Sequence, residues 1–262
     1  STLPVQWLQP SLGWRGLFTV VAVLLALSVV LIGWWVPADS TRDGRADQAA
    51  AGGYRQVFLH PAFLRVAPLG FFVYGGMVAM QSLWIGPWLT QVGGLSAQAA
   101  AQGLFAVNLA MLVAFLCWGL AMPRLMRAGW AGEGLIAATW PLGVGCLALL
   151  VWLGPQAPAS AWALWCVATS VVSLAQPAVG QAFPTNLAGR ALSAFNLMIF
   201  SGVFAVQWGI GLAVDALQAI GMQPVQAYRW AFGGYGGACA ASFIWLHLGR
   251  WQQRRTAGSQ RH

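Results

Sequence analysis

Seven long apolar stretches follow one another along the chain, each near or above the about 20 residues that a helix needs to cross a membrane. They cover residues 14–36, 66–90, 98–122, 132–154, 159–183, 191–217 and 230–248. Hydrophobic residues make up 59% of the chain and charged residues only 7%, too little charge to cover the surface of a water-soluble globule. The sequence therefore predicts an all-α, polytopic membrane protein, a bundle of seven transmembrane helices.

The arginines predict the orientation of this bundle, because the chain contains no lysine. Alternate threading of the seven stretches places most arginines on one face: Arg42, Arg45, Arg55, Arg65, Arg124, Arg127, Arg190, Arg250, Arg254, Arg255 and Arg261. Only Arg15 and Arg229 fall on the other face. Basic residues in short loops stay in the cytoplasm during insertion. We therefore expect a multi-pass protein of the bacterial inner (cytoplasmic) membrane with a cytoplasmic C-terminus, and the net charge of +8 needs no nucleic-acid partner.

One long polar stretch, residues 38–65, separates the first apolar stretch from the other six and contains three of the five acidic residues. We expect it to be a cytoplasmic linker. Residues 1–37 would then be the end of one helical unit, with part of one helix and all of the next. Residues 66–249 would be a six-helix unit, and residues 250–262 a cytoplasmic tail. Because the first residues read as the end of a helix, we expect the chain to be a fragment.

Two short segments at predicted outer ends match each other. Residues 13–18 (GWRGLF) open the first span and residues 227–232 (AYRWAF) open the last, and each contains an aromatic residue, arginine, two variable residues and phenylalanine. They also hold the two arginines on the arginine-poor face. Parallel repeats of this kind are typical of transporters built from two related halves.

Together, these features resemble the major facilitator superfamily. Residues 12–18 resemble the start of that family's sixth helix, residues 38–65 its central cytoplasmic loop, and the six later spans its helices seven to twelve. The family's Gly-x-x-x-Asp-Arg signature is echoed at residues 119–124 (GLAMPR), where Arg124 is present and Pro123 stands in place of the acid.

The resemblance implies the C-terminal half of a secondary active transporter. Such a protein moves a small solute by alternating access around a midplane cavity between two halves. The implied partners are the solute, the lipid bilayer and a missing N-terminal half or a second copy of the chain. No cofactor is implied. The position of Arg124 in the signature makes it a candidate gating residue.

No Lys, Arg, Asp or Glu lies in the middle third of any predicted span, although such residues usually mark ion coupling. Glu133 and Asp215 lie at span ends, where water or headgroups can solvate them. If the intact transporter is driven by protons, we expect the coupling acid to be Asp215 or to lie in the missing half.

Amide and aromatic side chains do lie within the spans, on single helical faces. In the second span Tyr74 and Gln81 are seven residues apart, with Trp84 near the same stripe, and in the sixth span Asn196, Phe200 and Gln207 recur at helical spacing. An unpaired amide in hydrocarbon costs several kcal/mol. Each amide therefore either bonds a neighbouring helix or contacts solute in a wet cavity. The resemblance favours Gln81, Asn196 and Gln207 for solute contact, since the family turns its seventh and eleventh helices inward. The full candidate substrate-binding set is Gln81, Tyr74, Trp84, Asn108, Asn196, Phe200 and Gln207.

Other classes of protein fit the sequence less well. The four cysteines lie in four different spans without a CxxC pair, which indicates buried small side chains rather than a disulfide or a metal site. A retinal protein needs a Schiff-base lysine, and a membrane enzyme needs a cluster of catalytic side chains that this sequence does not offer. We therefore predict no enzyme. The alternative left open is a non-transporting membrane interaction subunit or a receptor-like helical bundle.

Overall fold

The computed structural model describes residues 3–35 and 53–259, and no described residue lies in a β-strand. The predicted all-α fold is confirmed. The chain divides into two compact units, residues 1–53 and residues 54–262. The boundary between them falls inside the predicted linker, most of which lies outside the described residues.

The first unit contains one long helix, α1 (Leu3–Trp35), which is interrupted at Gly13. The φ of Gly13 is +61°, a left-handed backbone conformation that residues other than glycine rarely adopt. The hydroxyls of Thr19 and Ser28 donate to carbonyl oxygens one turn earlier in the helix. These two hydroxyls are therefore satisfied within the helix, and no residue of the hydropathy window in Pro10–Trp35 is buried, which suits a helix in lipid.

The second unit contains seven helices. They are α2 (Tyr54–Phe58), α3 (Pro61–Val92), α4 (Ala97–Arg127), α5 (Gly132–Leu153, followed by a 3-10 turn at Gly154–Gln156), α6 (Ala159–Gln181), α7 (Thr185–Ala219) and α8 (Pro224–Ser259). Each predicted span after residue 65 falls on one of the helices α3 to α8. The end of the predicted linker is also helical, because Nδ1 of His60 accepts a hydrogen bond from the N–H of Ala62 and Pro61 opens α3.

Six described helices are long and apolar enough to cross a membrane: the Pro10–Trp35 part of α1, and α3 to α7 with the 3-10 turn after α5. The last helix, α8, is long enough but less apolar. Its central part is diluted by four glycines between residues 233 and 237 and by His247. The count of seven membrane helices therefore stays a prediction.

Helix α3 lies at the centre of the second unit. In its apolar window 67% of the residues are buried, against 17% for α4. It crosses α7 closely, since a methyl group added at Gly75 or at Gly202 would overlap the backbone of the other helix. Three segments of α3 are π-helical, at Leu69–Gly75, Met80–Trp84 and Trp88–Val92. Trp88 is the first residue of the third segment. Its ring stacks on Phe232 at 4.7 Å and meets Trp162 edge-on at 5.5 Å, which fixes α3 against α6 and α8.

Helix ends meet at both ends of this unit. At one end, Arg229 near the start of α8 donates hydrogen bonds to the carbonyl oxygens of Val151 and Trp152 at the end of α5. At the other end, Arg65 in α3 forms an ion pair with Glu133 in α5, at 2.8 Å. Helices α3 and α5 therefore begin at the same end and α8 begins at the opposite one, and we call the end with Arg65 and Glu133 the arginine-rich end.

Candidate solute-binding site

Two pairs of polar side chains connect α3 to its neighbours near the middle of the helices. In the first pair, Nε2 of Gln81 donates to Oδ1 of Asn108 in α4, at 3.2 Å. Nδ2 of Asn108 donates in turn to the carbonyl oxygen of Leu104, at 2.8 Å, one turn earlier in its own helix. The Asn108 amide is therefore held in a fixed orientation and presents its oxygen to α3.

The second pair connects α3 to α7. Nε2 of Gln207 donates to Oγ of Ser82 at 3.0 Å, and Oγ of Ser82 donates to the carbonyl oxygen of Val78 at 2.6 Å. The indole Nε1 of Trp84 donates to the carbonyl oxygen of Gln207 at 3.2 Å. Helix α3 thus contacts both the side chain and the main chain of Gln207.

These side chains are bonded without being sealed from the outside of the unit. Gln81, Trp84 and Gln207 are half-buried, and Ser82 and Asn108 are exposed. Among the described residues, no donor is hydrogen-bonded to Oε1 of Gln81 or of Gln207. The two amides consequently keep free acceptors, and neither pair carries a formal charge. The arrangement can bind a molecule through hydrogen bonds.

Adjacent residues of α3 reach different partners. Successive side chains of a helix point in directions about 100° apart, so Gln81 faces α4 while Ser82, the next residue, faces α7. Both lie in the π-helical segment Met80–Trp84. Sequence reasoning missed Ser82, because it selected amide and aromatic side chains and Ser82 is neither.

Trp84 is fixed by aromatic neighbours as well as by its hydrogen bond. Its ring packs edge-on against Tyr228 at 6.1 Å and against Phe232 at 6.4 Å, both in α8. The indole is therefore a rigid wall beside the Ser82–Gln207 pair.

The other predicted site residues are not brought into these pairs. Tyr74 is half-buried and packs against the apolar core. Asn196 is exposed without a hydrogen-bond partner among the described residues, and Phe200 is 62% exposed on α7. They remain available to a ligand or to another helix that covers this face.

The predicted coupling and gating residues lie away from the polar pairs. Asp215 is exposed eight residues after Gln207, about 12 Å further along α7, and interacts electrostatically with Tyr228. Arg124 is exposed near the end of α4, where its NH1 donates to the carbonyl oxygen of Leu120 at 3.2 Å. The guanidinium of Arg124 therefore lies in the last two turns of α4, where a cation is favoured by the negative end of the helix dipole.

Comparison with known proteins assigns the fold. The model of the Major Facilitator Superfamily matches residues 6–207. The fold is similar to a bacterial homologue of the human lysosomal transporter Spinster, solved in an inward-facing and unoccupied conformation, with 15% sequence identity and a TM-score of 0.46. The match covers 93% of this chain and 60% of that transporter, so the chain spans less than two thirds of its length. No curated relative matches the sequence.

Proposed function

Because the chain belongs to the Major Facilitator Superfamily of membrane transporters, we propose that it moves a small solute across the bilayer by alternating access. Gln81 and Asn108 bind the solute on one side of α3, and Ser82 and Gln207 bind it on the other. The observation that carries this proposal is the pair of half-buried glutamines whose amide oxygens have no donor among the described residues.

The energetic argument concerns where these amides can point. A polar group exposed to hydrocarbon without a partner costs several kcal/mol, and polar residues in membrane helices face the bundle interior or a wet cavity. Next to the exposed residues Asn108 and Ser82, Gln81 and Gln207 keep amide oxygens without a donor among the described residues. This surface therefore fits the wall of an aqueous cavity better than a surface covered by lipid.

The chemistry of this wall favours an uncharged solute with several hydrogen-bonding groups. Amide and hydroxyl groups line it, with Trp84 as a flat apolar wall and no ionisable side chain. Phe200 on the exposed face of α7 supplies a second apolar surface. A charged solute would meet no counter-ion on the wall formed by these described residues, and an unpaired charge is costly at this depth.

The opposite wall of the cavity comes from a second helical half. The second unit supplies one half of the transporter, and further helices of a longer protein or a second copy supply the other. In this arrangement the chain is inactive alone. The excess of arginines at one end supports a cytoplasmic position for that end and for the C-terminus, in a bacterial inner membrane.

The experiment compares three alanine variants in the full-length transporter. An uncharged ligand is first identified by its effect on melting temperature, from a panel of polar neutral and charged metabolites, and its uptake is then measured in proteoliposomes. Gln81→Ala and Gln207→Ala should each raise the half-saturation constant by about tenfold. That is about 1.4 kcal/mol, within the range for a buried hydrogen bond left unmade. Asn196→Ala should raise it without changing the melting temperature, since Asn196 has no described partner to lose.

Gln102→Ala is the matched control, because Gln102 is an exposed glutamine of α4 without a hydrogen-bond partner among the described residues. It should change neither quantity. If all three test variants lose stability and none loses affinity for the solute, the amides only join helices and the proposal is wrong.

A further inference from the structure

A cavity of about 400 Å³ lies at the arginine-rich end, away from the polar pairs. Gly134, Ala137 and Ala138 of α5 form one wall. His247, Arg250 and Trp251 of α8 form the other. The cavity therefore combines small side chains on one helix with basic and aromatic side chains on the facing helix.

The charges around this cavity are unbalanced. The carboxylate of Glu133 is occupied by Arg65, with Oε1 and NH2 2.8 Å apart and the two side chains 20% and 10% exposed. NH1 of Arg250 donates to the backbone carbonyl oxygen of Glu133 at 3.1 Å. No described carboxylate forms an ion pair with Arg250. Two guanidinium groups thus meet one carboxylate, and a net positive charge remains beside the cavity.

The backbone adds to this positive potential. Helix α5 begins at Gly132, and its N-cap residue, Ala131, has no side chain that can cap the first N–H groups. The N-terminus of a helix carries a partial positive charge and attracts anions. A Cβ atom at Gly134 would lie 3.9 Å from NH2 of Arg250, so this guanidinium group lies against the first turn of α5.

The aromatic residues place the cavity at the depth of lipid headgroups. The ring of His247 lies 6.0 Å from that of Trp140 in α5, and Trp251 follows one turn later in α8. Tryptophan side chains are enriched at the membrane–water interface. The sequence continues with arginines at positions 254 and 255, within the last turns of the same helix.

From these observations we infer that the cavity binds a phosphate group, and that its source is the headgroup of an anionic phospholipid in the leaflet at the arginine-rich end. Arg250 donates to the phosphate oxygens, His247 contributes a further donor, and the start of α5 adds positive potential. Basic cavities between membrane helices are suited to such headgroups because charge and depth select for them together. This site is independent of the proposed solute site.

The test measures lipid binding in nanodiscs made from phosphatidylcholine alone or with phosphatidylglycerol. The full-length protein should retain phosphatidylglycerol in native mass spectrometry and melt at a higher temperature when that lipid is present. Arg250→Gln should weaken this retention by about tenfold, the size of a charge-assisted hydrogen bond. Arg127→Gln removes one charge at the same end, from an exposed side chain bonded only to its own helix, and should leave retention unchanged.

A cavity-filling variant guards against misfolding of Arg250→Gln. Ala138→Phe keeps every charge and every hydrogen bond of the Arg65–Glu133–Arg250 cluster and fills the cavity, and it should also lose phosphatidylglycerol. If Ala138→Phe retains the lipid as the wild type does, or if Arg127→Gln weakens retention as much as Arg250→Gln, the assignment of the site is overturned.

A second arm identifies the source of the phosphate. Glycerol 3-phosphate is added to the protein in phosphatidylcholine nanodiscs. No thermal stabilisation is expected if the site needs a lipid headgroup. Stabilisation that disappears in Arg250→Gln would keep the phosphate site and assign it to a soluble ligand, overturning the lipid part of the inference.

Discussion

Arg229 has a structural role that accounts for its place on the arginine-poor side. Its Nε donates to the carbonyl oxygen of Val151 at 2.8 Å and its NH2 to that of Trp152 at 3.0 Å. These carbonyl groups belong to the last turn of α5 and have no partner within the helix. Gly154, with φ +55°, then turns the chain away beneath the guanidinium. A cation at this position also stabilises the negative end of the helix dipole.

Replacing this arginine should therefore destabilise the protein. Arg229→Gln removes two charge-assisted hydrogen bonds, and we expect the free energy of unfolding to fall by about 1–3 kcal/mol. The measurement is the melting temperature in detergent. Arg127→Gln is the control, since Arg127 is exposed and donates only to the carbonyl of Pro123 in its own helix. Equal losses in the two variants would contradict a capping role for Arg229.

The candidate site shows which part of a membrane protein's polar contacts can be predicted from sequence. Amides in the middle of apolar spans must find partners or a wet cavity, and this requirement singled out Gln81, Asn108, Asn196 and Gln207. Three of them are hydrogen-bonded across helices or within a helix, whereas Asn196 has no partner among the described residues. The pairing could not be predicted, because it depends on how α3 packs between α4 and α7. Ser82 was missed because only amide and aromatic residues were selected within the spans.

The crossing of α3 and α7 depends on two glycines. A methyl group at Gly202 would overlap the carbonyl oxygen of Phe71, and one at Gly75 would lie 2.5 Å from the carbonyl oxygen of Ile199. Small residues allow the backbones of membrane helices to approach closely and gain van der Waals contact. This contact also brings Gln207 within reach of Ser82 and Trp84, so the crossing positions the candidate site.

We therefore expect Gly202→Ala to separate the two helices. The cost should be about 2–3 kcal/mol of unfolding free energy, as for other overpacked interiors, and the melting temperature should fall accordingly. Gly209→Ala is the matched control two turns further along α7, because nothing lies within 4 Å of a Cβ atom there. The close crossing would be disproved if the two variants melted together with the wild type.

At the level of helices, the apolar stretches of the sequence predicted where each helix lies in the chain, but not the residues at which it begins and ends. The predicted spans at 98–122 and 191–217 lie within α4 and α7, but both helices extend further. The extra turns lie beyond the hydrocarbon thickness on which the prediction was based. The helical start of α3 was missed because its cap is a histidine, His60, rather than one of the usual capping residues.

The distribution of arginines gives a topology that can be tested on the whole protein. Positive residues in short loops stay in the cytoplasm, so cysteines placed at Ser40 and Ser259 should resist a membrane-impermeant thiol reagent in intact cells. Ser40 lies outside the described residues.

The experiment needs a background in which the four native cysteines are replaced. Gln223→Cys, in the exposed connection between α7 and α8, is the control and should be labelled. Labelling of Ser40→Cys and Ser259→Cys with protection of Gln223→Cys would reverse the orientation.

Alternating access requires two halves that rock around one shared cavity, and the second unit by itself leaves its polar pairs exposed. We expect the 262-residue chain, reconstituted as a monomer in proteoliposomes, to show no saturable uptake of the neutral solute identified by thermal stabilisation. Saturable uptake by a dimer would mean that two copies supply the two walls. Gln207→Ala should then weaken this uptake, whereas leakage through the bilayer would not change. Saturable uptake by a purified monomer would show instead that the helices present here already form a complete pathway, and the two-half mechanism would have to be abandoned for this chain.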